Sequence, residues 1–412
     1  MKLKTQRWID RWVGQLLCAG ASLWHGLKSW GQPQPVLCAE PRHILVILLS
    51  EMGAVVLAGP MFAALRQRYP GAAVHVLQLK KNQEVARLLG LARPENLHAI
   101  DDSSGMKLLA DIWRVSRALR RLPLDAVVDC ELFSRISALL SLLSGATVRA
   151  GFTPHTQEGL YRGNFINRAI PYNPYVHISQ QFVSLVDALE SPSKPRNKAA
   201  PARIPPVETG LSVAFDAVEL RVYRDKMSAD FPVFTTKKLV LIYAGGGILP
   251  ERAWPVSHYA VLAQELCRAG HAVGLIGLRE DAALARDLRN TVQSESCQDL
   301  TGYTRSIREL LMLLHNAQLL ITNDGGPGHF ASLTPVSCMV FFGPETSRLY
   351  APLGSRTRIL ECAVACSPCL SAYNHRQTFC DGDNQCLKRL PPQSVIEQAL
   401  ALLAAPGQAS CS

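Results

Sequence analysis

The apolar run Leu319-Leu320-Ile321-Thr322 leads into Asn323-Asp324-Gly325-Gly326-Pro327-Gly328-His329 and then into the helix-like Phe330-Ala331-Ser332-Leu333. A buried strand that ends in an acid and glycines ahead of a helix offers backbone N–H groups at the positive helix end, a setting that suits a pyrophosphate. Asp324 or His329 would then orient sugar hydroxyls or balance phosphate charge. The plainer alternative is a tight turn in which Asp324 caps the helix. A second glycine run, Ala244-Gly245-Gly246-Gly247, closes an earlier apolar stretch and precedes Arg252, Trp254 and Pro255. Its glycines permit close backbone approach, and Arg252 could make a charge-assisted contact to a diphosphate, although a flexible turn with a solvated Arg is spelled the same way. Neither run has the GxGxxG spacing of a dinucleotide fingerprint or the spacing of a P-loop. Cys362, Cys366, Cys369, Cys380 and Cys386 place five thiols within 25 residues. Cys366, Cys369, Cys380 and Cys386 meet the count for a structural zinc or other metal, with an iron–sulfur cluster or disulfides as alternatives, and a structural role is favoured over catalysis.

These residues need a frame. His43 to Leu49 is a continuous apolar run that suits a strand buried on both faces of a parallel sheet. Ser50-Glu51-Met52-Gly53 turns the chain, residues 55–69 have helical spacing that stops at Pro70-Gly71, and residues 72–79 read as the next strand. Helices are expected over 106–121 and 134–143 with a strand over 124–130 between them. In the second half, strands are expected over 238–244, 271–277, 319–322 and 336–342, and helices over 258–270 and 307–317. The alternation predicts two α/β halves with a cleft between them, where ligands commonly bind. Residues 191–207, rich in Pro, Lys and Ala and without hydrophobic period, are the best linker candidate.

With 412 residues, 48% of them apolar and 18% charged, the chain is an ordinary globular one of two or three domains, which excludes disorder and a single small binding module. A formal charge of +10 favours anionic partners, but the excess is mild and no nucleic-acid partner is expected. Twelve cysteines in a chain of this length, without a convincing signal peptide, read as mostly reduced thiols in a cytoplasmic protein. Residues 1–38 carry Lys2, Lys4, Arg7 and Arg11 around Trp8, Trp12, Trp24 and Trp30, and the uncharged stretch from Trp12 to Trp24 is only 13 residues long. That is short of a membrane span and suits a helix lying in the headgroup region of an anionic bilayer. A packing helix and a cleaved signal peptide are the competing readings.

Four stretches in a fixed order carry a family resemblance: ILVILLSEMGAVVLAGPMFAALRQRYPGA, YAGGGILPERAWPVSHYAVLAQEL, LTGYTRSIRELLMLLHNAQLLITNDGGPGHFAS and VFFGPETSRLYAPLG. They resemble glycosyltransferase family 9, the heptosyltransferase family of bacterial lipopolysaccharide assembly, over most of residues 43–401. The resemblance implies an α/β, GT-B architecture: two Rossmann-like domains with parallel sheets facing a central cleft. On that reading residues 39–190 form the acceptor side, 191–235 a linker and connecting segment, 236–401 the nucleotide-sugar side with the Cys-rich stretch 362–386, and 402–412 a tail.

The resemblance also assigns roles. Gly246, Gly247, Asp324, Gly325, Gly326 and His329 match donor-binding positions. Arg252 stands where the family usually has a Lys reaching phosphate, a change that keeps the charge and alters the geometry. Glu280 lies where an acid would bind ribose hydroxyls, with a first-turn helix acid as the equal alternative. The family's first loop usually reads Met-Gly-Asp-Val, its Asp being the base, whereas this chain reads Met52-Gly53-Ala54-Val55. Ala54 cannot accept a proton, so Glu51 in the same loop is the candidate base, unless the base lies elsewhere or activity is lost.

What the resemblance implies is an inverting transfer of a heptose or hexose from a nucleotide diphosphate sugar, ADP-heptose among the donors, to a lipid-linked or cell-surface glycan such as lipopolysaccharide core. No cofactor is required for catalysis on this reading, and the enzyme would sit peripherally on the inner face of the cytoplasmic membrane. A catalytically weakened sugar-nucleotide binder, a Rossmann oxidoreductase and a GT-B sugar-nucleotide epimerase are the alternatives. Acceptor contacts are expected within residues 151–180, at Tyr161 and Arg162.

Overall fold

The computed structural model describes residues 3–153, 162–190, 210–247, 249–372, 377–378 and 380–405. It divides into two compact units, Met1–Pro206 and Val207–Ser412. Each unit is built on a six-stranded sheet in which every described pairing is parallel.

The N-terminal sheet comprises β1 (His43–Leu48), β2 (Ala73–Leu79), β3 (Leu97–Ile100), β4 (Ala126–Asp129), β5 (Val148–Phe152) and β6 (Arg168–Ile170), in the order β3-β2-β1-β4-β5-β6. The C-terminal sheet comprises β7 (Leu239–Tyr243), β8 (Ala272–Gly277), β9 (Cys297–Thr301), β10 (Leu319–Asn323), β11 (Ser337–Phe342) and β12 (Thr357–Glu361), in the order β12-β11-β10-β7-β8-β9. Central strands are apolar throughout because helices cover both faces: Ile44 to Leu48 are all buried. Each such side chain contributes about 1.5–3 kcal/mol by leaving water. The helical stretch after β1 is two helices, Met52–Leu57 and Gly59–Arg68, because Pro60 in the first turn of the second has no N–H to continue the first.

Residues 217–235, assigned from sequence to the connecting segment, are largely helical: Ala217–Asp230 is a helix capped by Asp216, whose carboxylate accepts from the Val218 N–H at 2.9 Å. Arg308 holds this helix through both oxygens of Glu219, with Nε donating to Oε1 at 2.7 Å and an Nη donating to Oε2 at 2.5 Å. The expected Pro-rich linker 191–207 lies outside the described residues.

The N-terminal helix, Leu3–Lys28, has the reverse of ordinary polarity. Its inward stripe is small and polar and recurs at helical spacing: Asp10, Gly14, Cys18, Ser22 and His25. Asp10 accepts from the N–H groups of Arg135 and Ile136 at the start of the helix Arg135–Leu143. A Cβ at Gly14 would lie 3.0 Å from the Arg135 Cβ, so glycine sets the approach. Cys18 is buried with Ala138, Phe165 and Ile166, Ser22 accepts from the Asn164 N–H, and the His25 ring meets Arg149 at 3.2 Å. Outward, Trp12, Leu16, Leu23, Trp24 and Leu27 are exposed, as is Trp30 just beyond. The packing helix weighed from sequence is thus present, and its outward face is the apolar one. Among the described residues no helix is long and apolar enough to cross a membrane.

Three histidines on adjacent strands of the first sheet form a ladder. His43 Nδ1 lies 3.0 Å from His75 Nε2, and His75 Nδ1 lies 3.4 Å from His98 Nε2. Burial, followed by the charges of His98 and His43, lowers the His75 pKa from 6.5 to about 4, and burial with Arg114 lowers that of His98. The unfolded chain therefore takes up protons at a higher pH than the folded one. The neutral ladder's stability is full above pH 6.5 and is lost as the pH falls towards 4. The melting temperature is expected to drop across that window, and His75→Leu should flatten the drop; an unchanged slope in the variant would contradict the ladder's role.

Candidate active site

In an open parallel sheet, ligands bind beyond the carboxyl ends of the strands where the strand order reverses. In the C-terminal unit that point lies between β7 and β10, and the two glycine turns singled out from sequence leave from these strands. Asn323, at the end of β10, joins them. Its Nδ2 donates to the carbonyls of Ala244 (3.1 Å) and Gly245 (2.9 Å), while its Oδ1 accepts from the Trp254 N–H (2.9 Å) and the Tyr259 hydroxyl (2.8 Å). Trp254 is fully buried against Phe341, with ring centroids 4.7 Å apart, and its indole N–H donates to the Leu390 carbonyl. This anchor sets the turn Pro250–Arg252. Gly246 has no room for a side chain, since a Cβ would lie 2.8 Å from the Pro250 Cα, and Gly247 takes φ 60°.

Arg252 points between two carboxylates. Its Nε lies 3.3 Å from Asp324 Oδ2 and an Nη donates to Glu345 Oε2 at 2.6 Å, with all three side chains largely buried. The guanidinium expected at a diphosphate is thus held by protein acids, and Glu345, two residues beyond Gly343 at the end of β11, is a member of the site that sequence reasoning did not single out. A guanidinium has five N–H donors in a fixed fork, so this clamp leaves donors directed elsewhere.

Gly325 rather than Asp324 is the N-cap of the six-residue helix Gly326–Ala331, and no side chain caps it. His329 is buried on this helix, and Gly328 packs 3.2 Å from Pro352 by its would-be Cβ. Beside β7 and β8 a pocket is lined by Ile242, Gly245, Leu275, Asp281, Leu288 and Thr301. Ile242, Leu275 and Leu288 give it an apolar floor, and Asp281 is the carboxylate within it. Asp281 accepts from the Leu278 N–H at 2.8 Å, and its carboxyl leaves no space for a Cβ at Gly277. Glu280, the expected ribose ligand, is exposed on the neighbouring turn.

The N-terminal unit has the same construction at the reversal between β1 and β4. Glu131, two residues past β4, accepts through Oε1 from the N–H groups of Leu49 (2.7 Å) and Ser50 (2.8 Å), and the Ser50 hydroxyl reaches both carboxylate oxygens, at 2.9 and 2.8 Å. Asn82 donates to the Ser50 carbonyl from the other side. Burial, then the neighbouring Asp129, raises the Glu131 pKa against the lowering effect of these donors. Glu51 is exposed at the start of the helix Met52–Leu57, caps it with no side-chain bond, and shares that first turn with Ala54.

Arg162, expected at the acceptor, is fully buried instead. It pairs with Asp129 and donates to the carbonyls of Phe152 and Ser134 and to the Ser137 hydroxyl, so it closes the interior behind β4. Tyr161 lies outside the described residues. The metal expectation is not supported: among the described residues no group of three or more His, Cys, Asp or Glu is placed to hold an ion. The thiols have other partners. Cys380 donates to Asn384 Oδ1, Cys369 accepts from the Thr378 hydroxyl, and Cys386 is buried against Gly343, its pKa raised by burial and then by Cys369 and Cys366. Among the described residues no cysteine forms a disulfide, Cys362 and Cys366 included.

Residues 112–379, more than half of the chain, match the family model described as glycosyltransferase family 9 (heptosyltransferase). The chain belongs to glycosyltransferase family 9. Among relatives of the family, it is 23% identical over 372 residues to lipopolysaccharide heptosyltransferase 2 of Salmonella typhimurium, covering 88% of this chain and 99% of that one. It is 25% identical over 325 residues to lipooligosaccharide heptosyltransferase 2 of Haemophilus ducreyi, covering 77% and 88%. Among solved structures, E. coli ADP-heptose lipopolysaccharide heptosyltransferase II superimposes with a TM-score of 0.68 at 20% identity, over 88% of this chain and 98% of that one. An E. coli heptosyltransferase solved with ADP gives 0.62 at 16% identity, over 87% and 99%. These likenesses place the fold of this family 9 glycosyltransferase in the GT-B class, with its two parallel α/β sheets.

The Arg252 clamp makes a stability prediction. Arg252→Ala removes the cation between two buried carboxylates and is expected to cost about 3–5 kcal/mol in denaturant unfolding. Adding Glu345→Gln should recover part of that loss, whereas strictly additive losses would contradict a coupled clamp.

Proposed function

We propose that this chain transfers a heptose from ADP-heptose to a lipid-linked lipopolysaccharide core acceptor, with inversion at the anomeric carbon. One observation carries the reading: the two glycine turns at the β7/β10 reversal, joined by Asn323, with Arg252 aimed beside them and an apolar pocket next door. Uncapped amides at Gly326 and a buried guanidinium beside them are what the diphosphate of a sugar nucleotide needs. Family membership and the names of the relatives support heptose as the sugar and lipopolysaccharide core as the acceptor.

In the reaction, the acceptor hydroxyl attacks the anomeric carbon from the face opposite the diphosphate. The bond from that carbon to the diphosphate oxygen breaks, and the diphosphate leaves with the electron pair. Arg252 and the amides around Gly325 and Gly326 stabilise the charge that develops on the leaving group. Asp324 and Glu345 keep the guanidinium aimed before the donor arrives, and His329 lines the same turn. The N-terminal unit, residues 39–190 in its sequence-defined extent, takes the acceptor, and Glu51 is the exposed carboxylate of its first loop.

The reading extends to the membrane. The single acid of residues 1–38, Asp10, is turned inward to Arg135, so the outward face of the N-terminal helix offers aromatic and aliphatic side chains beside cations, with Arg11 over Trp12 and Lys28 over Trp24. That pattern suits peripheral attachment to an anionic headgroup layer.

The test is transfer from ADP-heptose to lipopolysaccharide from a heptose-deficient strain, with the anomeric configuration of the product read by NMR. Inverted product, with Arg252→Ala lowering turnover by about 10²-fold or more, is the expected result; retention of configuration or no transfer would refute the reading. In parallel, the protein should sediment with phosphatidylglycerol vesicles, less so at high salt. A Trp12→Ser, Leu16→Ser, Trp24→Ser variant that sedimented as well would refute the membrane assignment.

A further inference from the structure

Resting on the transferase reading, we infer that Glu131 is the proton acceptor of the reaction, working through the hydroxyl of Ser50. The transfer needs a group to take the acceptor's proton, and position 54, where the family resemblance would put it, holds an alanine. Two carboxylates stand near: Glu51 and Glu131. Glu51 is exposed, so its side chain must be ordered in every turnover. Glu131 is buried and held in one place. Its two oxygens also have different work. Oε1 takes the backbone N–H groups of Leu49 and Ser50 and lies 2.9 Å from the Ser50 hydroxyl, whereas Oε2 takes no backbone N–H and is met by that hydroxyl at 2.8 Å. Ser50 is half-buried at the carboxyl end of β1, at the strand reversal where a switch-point ligand lies, and its carbonyl is fixed by Asn82.

The step balances as follows. The acceptor hydroxyl gives its proton to Ser50 Oγ as its oxygen bonds to the anomeric carbon, and the Ser50 hydroxyl proton passes to Glu131 Oε2. The carboxylate becomes a carboxylic acid, Ser50 is regenerated as a hydroxyl, and the diphosphate departs with the electron pair. Water takes the proton from Glu131 by the same route once the product has left. Burial beside Asp129, itself paired with Arg162, favours the protonated carboxyl, the direction a base near neutral pH requires.

Glu131→Gln separates this role from a structural clamp. The amide keeps a carbonyl oxygen for the two backbone N–H groups and puts an NH₂ opposite Ser50, so the loop stays bonded while the basic site is gone. With ADP-heptose and heptose-deficient lipopolysaccharide as substrates, Glu131→Gln should melt near the unaltered protein's temperature yet lose about 10²–10⁴-fold in kcat. The acid limb of its pH–rate profile should vanish, and Ser50→Ala should lower kcat with little change in KM. Adding Ala54→Asp to Glu131→Gln, which restores a carboxylate to the loop, should recover part of the rate. Full activity with an intact acid limb in Glu131→Gln would overturn the inference, as would loss of that limb in Glu51→Gln instead. If the unaltered protein failed to transfer from ADP-heptose at all, the transferase reading would fall and the relay with it; transfer that survived Glu131→Gln would remove the relay alone.

Discussion

A parallel sheet that winds outward in both directions leaves a gap between its two central strands, where the chain departs to opposite sides and no crossing helix covers the strand ends. In both units a single buried polar side chain spans that gap: Asn323 reaches from β10 to the loop after β7, and Glu131 reaches from the end of β4 to the loop after β1. The two bridges differ in what they can hold. An amide both donates and accepts, so Asn323 takes two carbonyls on one side and an N–H and a phenol on the other. An ionised carboxylate only accepts, so Glu131 gathers N–H and O–H groups and concentrates negative charge at its end of the sheet. One gap is thereby built neutral beside a guanidinium, and the other is built as a proton sink.

The neighbouring features follow from these bridges. Asn323 fixes the glycine turn and the start of the Trp254 segment together, and the distance between them is what places Arg252 against Asp324 and Glu345. Charge is organised locally. The trio of Arg252 with two acids carries a net negative charge before any ligand, which makes the guanidinium an aimed donor rather than a general attractor of anions. The N-terminal helix carries a different share of the basic excess, since its only acid is consumed by the start of the helix Arg135–Leu143 while Arg11 and Lys28 are exposed.

Central strands were legible in the sequence because burial on both faces makes them continuous apolar runs: β1, β2, β7, β8, β10 and β11 fall within a residue or two of expectation. The edge strands and β5 were not. β5 contains Arg149, β6 begins with Arg168, and β12 sets Arg358 and Glu361 on either side of Ile359 and Leu360, each too short to show a period. In the site, motif residues with unusual composition were found, namely the two glycine turns, Asp324 and Arg252. The residues that hold them were missed, because Asn323, Glu131 and Glu345 are single polar side chains whose partners lie far away in sequence. Arg162 was misread for the same reason: an arginine in an aromatic-rich stretch looks like a ligand contact until Asp129 is seen beside it. The cysteine spacing was equally misleading, since proximity along the chain did not bring the four thiols to one point.

Hydrogen exchange with and without ADP tests most directly that the bridged strand reversal is the donor site. ADP is expected to slow exchange of the amides over 244–247 and 324–331, which flank Asn323, while NAD leaves them unchanged. Protection confined to other segments, or equal protection by NAD, would contradict it.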